Sequence, residues 1–169
     1  MRAVQKLETV IFGGTKEEAI ALYKKAEKYR LEKDYKNAKT YWLKSAKYGN
    51  PYAMYKIGLC HYHGLAGEKN NKKAYLAWTK AVEAGHKESK FCIAVCCLNG
   101  FGTEKDEVRA VKILEELKEQ NHAKATYKLG ECYKHSIGGL EKNPEKADLY
   151  SVLACKMGYD PAEDIIEKI

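Results

Sequence analysis

Cys60, His61 and His63 fall within four positions of the stretch AMYKIGLCHYHG, residues 53–64. Thiolate and imidazole are the side chains that most often hold zinc, so a metal centre is the first chemistry this spacing raises. Cys132 and His135 repeat the three-residue step of Cys60 and His63. On a helix that step sets both side chains on one face. The elements that carry these residues decide whether either pair can act as a site.

Those elements recur. Moved along by 36 residues, AMYKIGLCHYHG becomes SKFCIAVCCLNG (89–100), then ATYKLGECYKHS (125–136). Ile57, Ile93 and Leu129 align, as do Gly58, Ala94 and Gly130, and Cys60, Cys96 and Cys132. The segment that follows recurs as KKAYLAWTKAVEAG (72–85), VRAVKILEELKEQN (108–121) and, after one inserted residue, EKADLYSVLACKMG (145–158). KNAKTYWLKSAKYG (36–49) fits the same template upstream. Each cycle reads as two helices. Ala53, Ile57, Gly58 and His61 mark the packed face of helix A; Ala74, Trp78 and Ala81 mark that of helix B. Small residues such as Gly58 and Ala74 let two axes approach closely. Helix B ends at Gly49, Gly85, Asn121 or Gly158, residue types that accept the left-handed conformation past a helix end. The first cycle is shorter: twelve residues separate Ala26 from Ala38, against sixteen from Gly58 to Ala74. Thr15-Lys16-Glu17-Glu18 reads as a capping box. DPAEDIIEKI (160–169) reads as a lone capping helix, opened by Asp160 and Pro161.

The repeat argues against a metal centre. The two Cys–His pairs lie two cycles apart, and helices pack at about 8–10 Å, so the pairs stand roughly 20 Å from each other. Zinc ligands must lie within about 2.3 Å of the ion, and Asn99 stands where the middle cycle would supply its histidine. The same spacing forbids disulfides between the repeated cysteines, since Cα atoms more than about 7 Å apart cannot be bridged. All six cysteines (Cys60, Cys92, Cys96, Cys97, Cys132, Cys155) lie in apolar helical patterns and are expected as reduced core thiols. No nucleophile elbow, P-loop or zinc-protease motif is present. Glu115-Glu116 lies on a lysine-rich helix and reads as a solvated face. No enzyme activity and no cofactor are expected. The net charge of +7 favours acidic partners. Lysines are interleaved with glutamates rather than clustered, which disfavours nucleic acid. No apolar run reaches the roughly 18 residues a membrane helix needs, and a cytoplasmic location is expected.

Residues 16–169 resemble the Sel-one-like repeat family, a close relative of the tetratricopeptide repeat. The resemblance rests on Ala53, Gly58, Gly64, Ala74, Trp78, Ala81 and Gly85 in one cycle, and on Ala94, Gly100, Gly102 and Ala110 in the next. Ala125, Gly130, Tyr133, Gly138, Ala147, Ala154 and Gly158 carry it in the last. His61 and Cys97 depart from the family's tyrosine, and Leu117 and Asn121 from its alanine and glycine. The resemblance implies an all-α, right-handed α/α superhelical solenoid. It would have about four helix-turn-helix repeats (15–49, 50–85, 86–121, 122–158) and a C-terminal capping helix. A segment 1–14 would precede this single domain.

It also implies an adaptor or scaffold that holds another protein or peptide on a concave face lined by the A helices. The register places Tyr23 and Arg30, with Glu27, on that wall in the first cycle, and Tyr52, Tyr55, Leu59 and Tyr62 in the second. Phe91, Val95, Leu98 and Asn99 follow in the third. Tyr127, Glu131 and His135 follow in the fourth. Tyrosine suits an interface, being a large rigid surface with a polar tip. Tyr55, Phe91 and Tyr127 recur in register, so packing within the array competes with a partner role for them. A dedicated protein inhibitor, one tight partner to an acidic enzyme, is the alternative function.

Overall fold

Eight α-helices order the residues described by the computed structural model, 15–161. They are α1 (Lys16–Leu31), α2 (Tyr35–Lys47), α3 (Pro51–His63), α4 (Asn71–Glu83), α5 (Lys87–Asn99), α6 (Glu107–Glu119), α7 (Ala123–His135) and α8 (Pro144–Lys156). From α2 onward every helix has 13 residues. The A helices α3, α5 and α7 begin at 51, 87 and 123, steps of 36. The described residues form two compact units, and the boundary falls inside α5 between Ser89 and Lys90. Among the described residues there is no strand.

The same local chemistry starts and stops each B helix. Asp34, Asn70, Asp106 and Asn143 accept the amide three residues on at 2.9–3.1 Å, which satisfies one of the orphan donors of a helix start. Their own amides donate back to helix A, to the carbonyls of Tyr29, His61, Cys97 and Tyr133, at 2.8–3.1 Å. Each N-cap therefore also closes its hairpin. At the far end the chain turns through a positive φ at Gly49, Gly85, Asn121 and Gly158. The next residue donates back to the last turn, as His86 does to Ala81 at 2.8 Å, closing a Schellman motif. Thr15 and Glu18 form the expected capping box.

Within residues 15–89, α1 packs on α2, α2 on α3 and α3 on α4. Trp42 and Trp78 occupy the same repeat position and are both fully buried. A side chain at Gly58 would overlap the Trp78 indole. That close approach is why the position is glycine. A second cluster joins Ala26, Ala38, Trp42, Ala53, Ile57 and Cys60. Removing a buried tryptophan of this kind costs roughly 3–5 kcal/mol.

Within residues 90–161, α7 packs on α6 and α8. Leu114, Leu117, Leu129, Cys96 and Cys132 are buried there. The α7–α8 loop, 136–143, is one residue longer than 64–70 and 100–106. It contains a 3₁₀ turn, Ile137–Gly139. Gly138 (φ +69°) lies so close to α6 that a Cβ would meet the Glu107 carbonyl at 2.6 Å.

Five cysteines are buried and none of the six forms a disulfide, but Cys155 is exposed, against the expectation of a core thiol. It lies on a face of α8 shared with Val152 and Lys156, which are also exposed. The segment 1–14 and, beyond Pro161, the capping helix expected over 160–169 lie outside the described residues.

Candidate protein-interaction surface

The Cys60–His61–His63 cluster does not converge. Cys60 points into the core beside Ala26, Ala38 and Trp42, and burial pushes its thiol up to about 11. The His63 ring stands edge-on to Tyr62 at 5.0 Å. His61 is half-buried, and burial, with Lys39 and Lys73, holds its imidazole below the ordinary histidine value. Among the described residues no group of three or more His, Cys, Asp or Glu is placed to hold a metal ion. Burial raises Cys132 to about 11, and burial with neighbouring Cys97 raises Cys96 to about 12. The thiolate is the nucleophile and ligand, so these groups are inert.

The wall expected from the A helices divides by burial. Tyr55, Leu59, Phe91, Val95 and Leu98 are buried and are therefore packing residues rather than surface. The physical reason is that helix A has neighbours on more than one side, so its apolar positions are covered within the array. Tyr52 is 60% exposed. Tyr23, Arg30, Tyr62, Tyr127 and Glu131 are half-buried, and Asn99 and His135 are exposed.

In residues 15–89 an aromatic series follows this wall. Tyr23 lies 6.3 Å from Tyr52, and Tyr52 meets His86 edge-on at 5.0 Å. His86 then stacks on Tyr55 at 4.6 Å. Neighbouring rings on both sides hold the exposed Tyr52 ring, which lowers the entropy a partner would have to remove. Arg30 donates to Glu27 at 2.8 Å, and the other Glu27 oxygen accepts from Trp42 Nε1 at 3.1 Å. The guanidinium is thus fixed from behind. Tyr62 packs on Trp78 at 5.7 Å, with Lys69 over its ring.

In residues 90–161, Phe91 stacks on His122 at 5.3 Å and Tyr127 packs on Tyr159 at 4.9 Å. Glu131 lies 3.8 Å from both Lys134 and His135. Asn99 donates to the Val95 carbonyl at 2.8 Å.

His86 and His122 were not singled out in the sequence. Each accepts, through Nδ1, the amide three residues on, at 3.2 Å, and so caps α5 or α7. Each also stacks on an aromatic ring of the preceding A helix. Their 36-residue spacing, directly after Gly85 and Asn121, was the available signal.

Residues 24–137 match the family model described as plant tetratrico peptide repeats, and residues 123–159 match that of the Sel1 repeat. The chain is a Sel1-like repeat protein of the tetratricopeptide class. This Sel1-like repeat chain is 32% identical to the Sel1 repeat protein from Oxalobacter formigenes, with a TM-score of 0.69. The match covers 80% of this chain and 56% of that one. Its fold also matches c5321, a protective antigen present in uropathogenic Escherichia coli strains that displays an SLR fold. That TM-score is 0.75 at 22% identity, over 84% of this chain and 31% of that one. The Sel1-like chain thus spans about half the length of the first structure and under a third of the second. No match to a curated protein was found. The fold is an all-α helical-repeat solenoid. Repeats of this class generally mediate protein–protein interaction and are typically non-catalytic. Among the described residues no helix is long and apolar enough to cross a membrane.

Proposed function

We propose that this Sel1-like repeat chain is a non-catalytic adaptor or scaffold that binds a protein or peptide through its A-helix faces. The observation that carries the proposal is Tyr52, an exposed ring (60%) held between Tyr23 and His86. Preorganised tyrosine of this kind is what interface hot spots use. Tyr23 and Arg30 extend the surface in residues 15–89. Tyr62 contributes its half-exposed edge. Tyr127, Glu131, His135 and Asn99 offer a separate patch in residues 90–161. Five buried cysteines outside any disulfide fit a reducing compartment, which supports a cytoplasmic location.

The test is affinity capture from the native cell with the full chain and a Tyr23→Ala/Tyr52→Ala variant. The expected result is one partner lost from the variant while the circular dichroism spectrum is unchanged. A partner retained by the variant rules out the A-helix surface of residues 15–89. The net charge of +7 favours a second reading, an inhibitor of one acidic enzyme. In that reading association slows steeply with added salt, because charge steers the encounter. A salt-insensitive association rate eliminates it.

A further inference from the structure

A second surface lies on the other side of α3. Met54 and Ile57 stand two residues from Tyr52 and Tyr55, about 200° around the helix at roughly 100° per residue. Met54, Ile57 and His61 form the floor of an open groove of about 1070 Å³. Its walls are α2 and α4, which supply Leu43 and Leu76. All of its lining lies within residues 15–89.

Leu43 and Leu76 are 51% and 52% exposed, so the fold leaves half of each leucine in water. The repeat does not require them. Counted from the anchor alanines, the position of Leu43 is Thr79 in α4 and Glu115 in α6; that of Leu76 is Thr40 in α2 and Lys112 in α6. In α8 the two positions are Val152 and Leu149. Apolar side chains that packing does not need, gathered along one groove, mark an interaction site.

The rim is basic. Lys47, Lys73 and Lys80 face the groove against the single carboxylate of Glu83. On the floor, burial lowers the His61 pKa, and Lys39 and Lys73 add to that shift.

We propose that this groove receives one amphipathic helix of a partner protein, with leucine-type side chains inward and Asp or Glu along its polar edges. The walls are 13-residue helices, about 20 Å long at 1.5 Å per residue, so the occupant is about three to four turns. The apolar floor takes its i, i+3, i+4 and i+7 side chains. The lysine rim selects the acidic edges and rejects basic ones. This site is independent of the A-helix surface proposed above.

The probe is a synthetic helix of about 14 residues with leucine at positions 1, 4, 5, 8, 11 and 12, glutamate flanking the stripe, and alanine elsewhere. A twin carries lysine for every glutamate. Each is titrated into the full, ¹⁵N-labelled chain. The expected result is saturable binding of the glutamate peptide, with amide shifts centred on Met54, Ile57, His61 and Ala77. The lysine twin binds at least about tenfold more weakly, and about 0.5 M salt weakens the glutamate peptide. Leu43→Glu/Leu76→Glu abolishes binding, and Lys73→Glu/Lys80→Glu reverses the preference between the twins. Both pairs change solvent-facing side chains, so the spectrum keeps its dispersion. Tyr52→Ala leaves this binding unchanged. Shifts confined to the A-helix face, equal binding of the twins, or no saturable binding of the glutamate peptide overturns the proposal. A dimer of the free chain that Leu43→Glu/Leu76→Glu converts to monomer in sedimentation also overturns it, since the occupant is then a second copy.

Discussion

The His86 imidazole lies 4.6 Å from the Tyr55 ring, 30° from parallel, while its Nδ1 accepts the Ser89 amide at 3.2 Å. One side chain thus caps α5 and packs on the preceding A helix, α3. Phe91 and His122 repeat the arrangement 36 residues later. Tyr127 and Tyr159 keep the ring contact in the last cycle. In the first cycle, Asn50 keeps the cap, accepting the Tyr52 and Ala53 amides, and replaces the ring contact with a hydrogen bond from its Nδ2 to the Ala19 carbonyl of α1 at 3.4 Å.

Acid weakens this joint. Burial holds His86 below the ordinary histidine value; Glu88 opposes that shift and Lys56 adds to it. Because the folded pKa is depressed, the contribution is complete above the unfolded pKa of about 6.5. It is lost as pH falls through the folded value, since the unfolded chain takes up the proton more readily. His61, lowered in the same way, adds to the slope. Thermal melts at pH 7.5 and pH 5 should show a drop in Tm on acidification. His86→Asn, which can still cap as Asn50 does, should reduce the drop. An unchanged pH slope in that variant would remove His86 from the account.

Gly58 is predicted to be the least replaceable glycine of the first two cycles. A methyl group there runs into the Trp78 indole, which is fully buried. Gly58→Ala should destabilise by about 1–3 kcal/mol, the usual range for overpacking. Gly49→Ala meets no neighbouring atom, but its φ of +81° places it where a Cβ is strained, at about 1 kcal/mol. Urea unfolding of both variants tests the order. Equal losses would show that Trp78 moves aside.

Thiol chemistry should single out one residue. Cys155 is exposed, whereas Cys60, Cys96 and Cys132 are buried with their thiols raised to about 11, about 12 and about 11. At pH 8 a disulfide reagent should modify one thiol per chain rapidly and the other five only as fast as the chain opens. Cys155→Ser should abolish the fast phase. Two or more fast thiols would contradict the burial of the repeated cysteines.

The repeat was legible because its causes are local. Gly49, Gly85, Asn121 and Gly158 stop the B helices through their own backbone freedom, and Thr15 and Glu18 cap α1 through their own side chains. The surface was less legible, because exposure depends on what packs against a face, and one helix register cannot supply that. Leu59 and Tyr52 stand on the same expected wall, yet Leu59 is 0% exposed and Tyr52 60%. Cys155 failed for the mirror reason: its apolar neighbours Val152 and Leu153 are themselves exposed. The capping histidines were missed because histidine is not among the strongly preferred N-cap residues.

Glu27 provides the last test, because it separates two repeats that otherwise look alike. Trp42 and Trp78 hold the same position and are both fully buried, so each indole N–H needs an acceptor. Trp78 uses the Tyr55 carbonyl at 3.3 Å, a main-chain group that no substitution removes. Trp42 uses the Glu27 carboxylate at 3.1 Å, where the next cycle has Leu59. Glu27→Ala therefore orphans a buried donor and should cost about 1–3 kcal/mol. Glu27→Gln retains an acceptor oxygen and should cost less. Arg30→Ala removes only a partly exposed ion pair, worth under about 1 kcal/mol. Urea unfolding of the three variants should rank them Glu27→Ala, then Glu27→Gln, then Arg30→Ala. If Arg30→Ala instead matches Glu27→Ala, the Glu27 carboxylate reaches the indole only when Arg30, on the same helix, holds it in place.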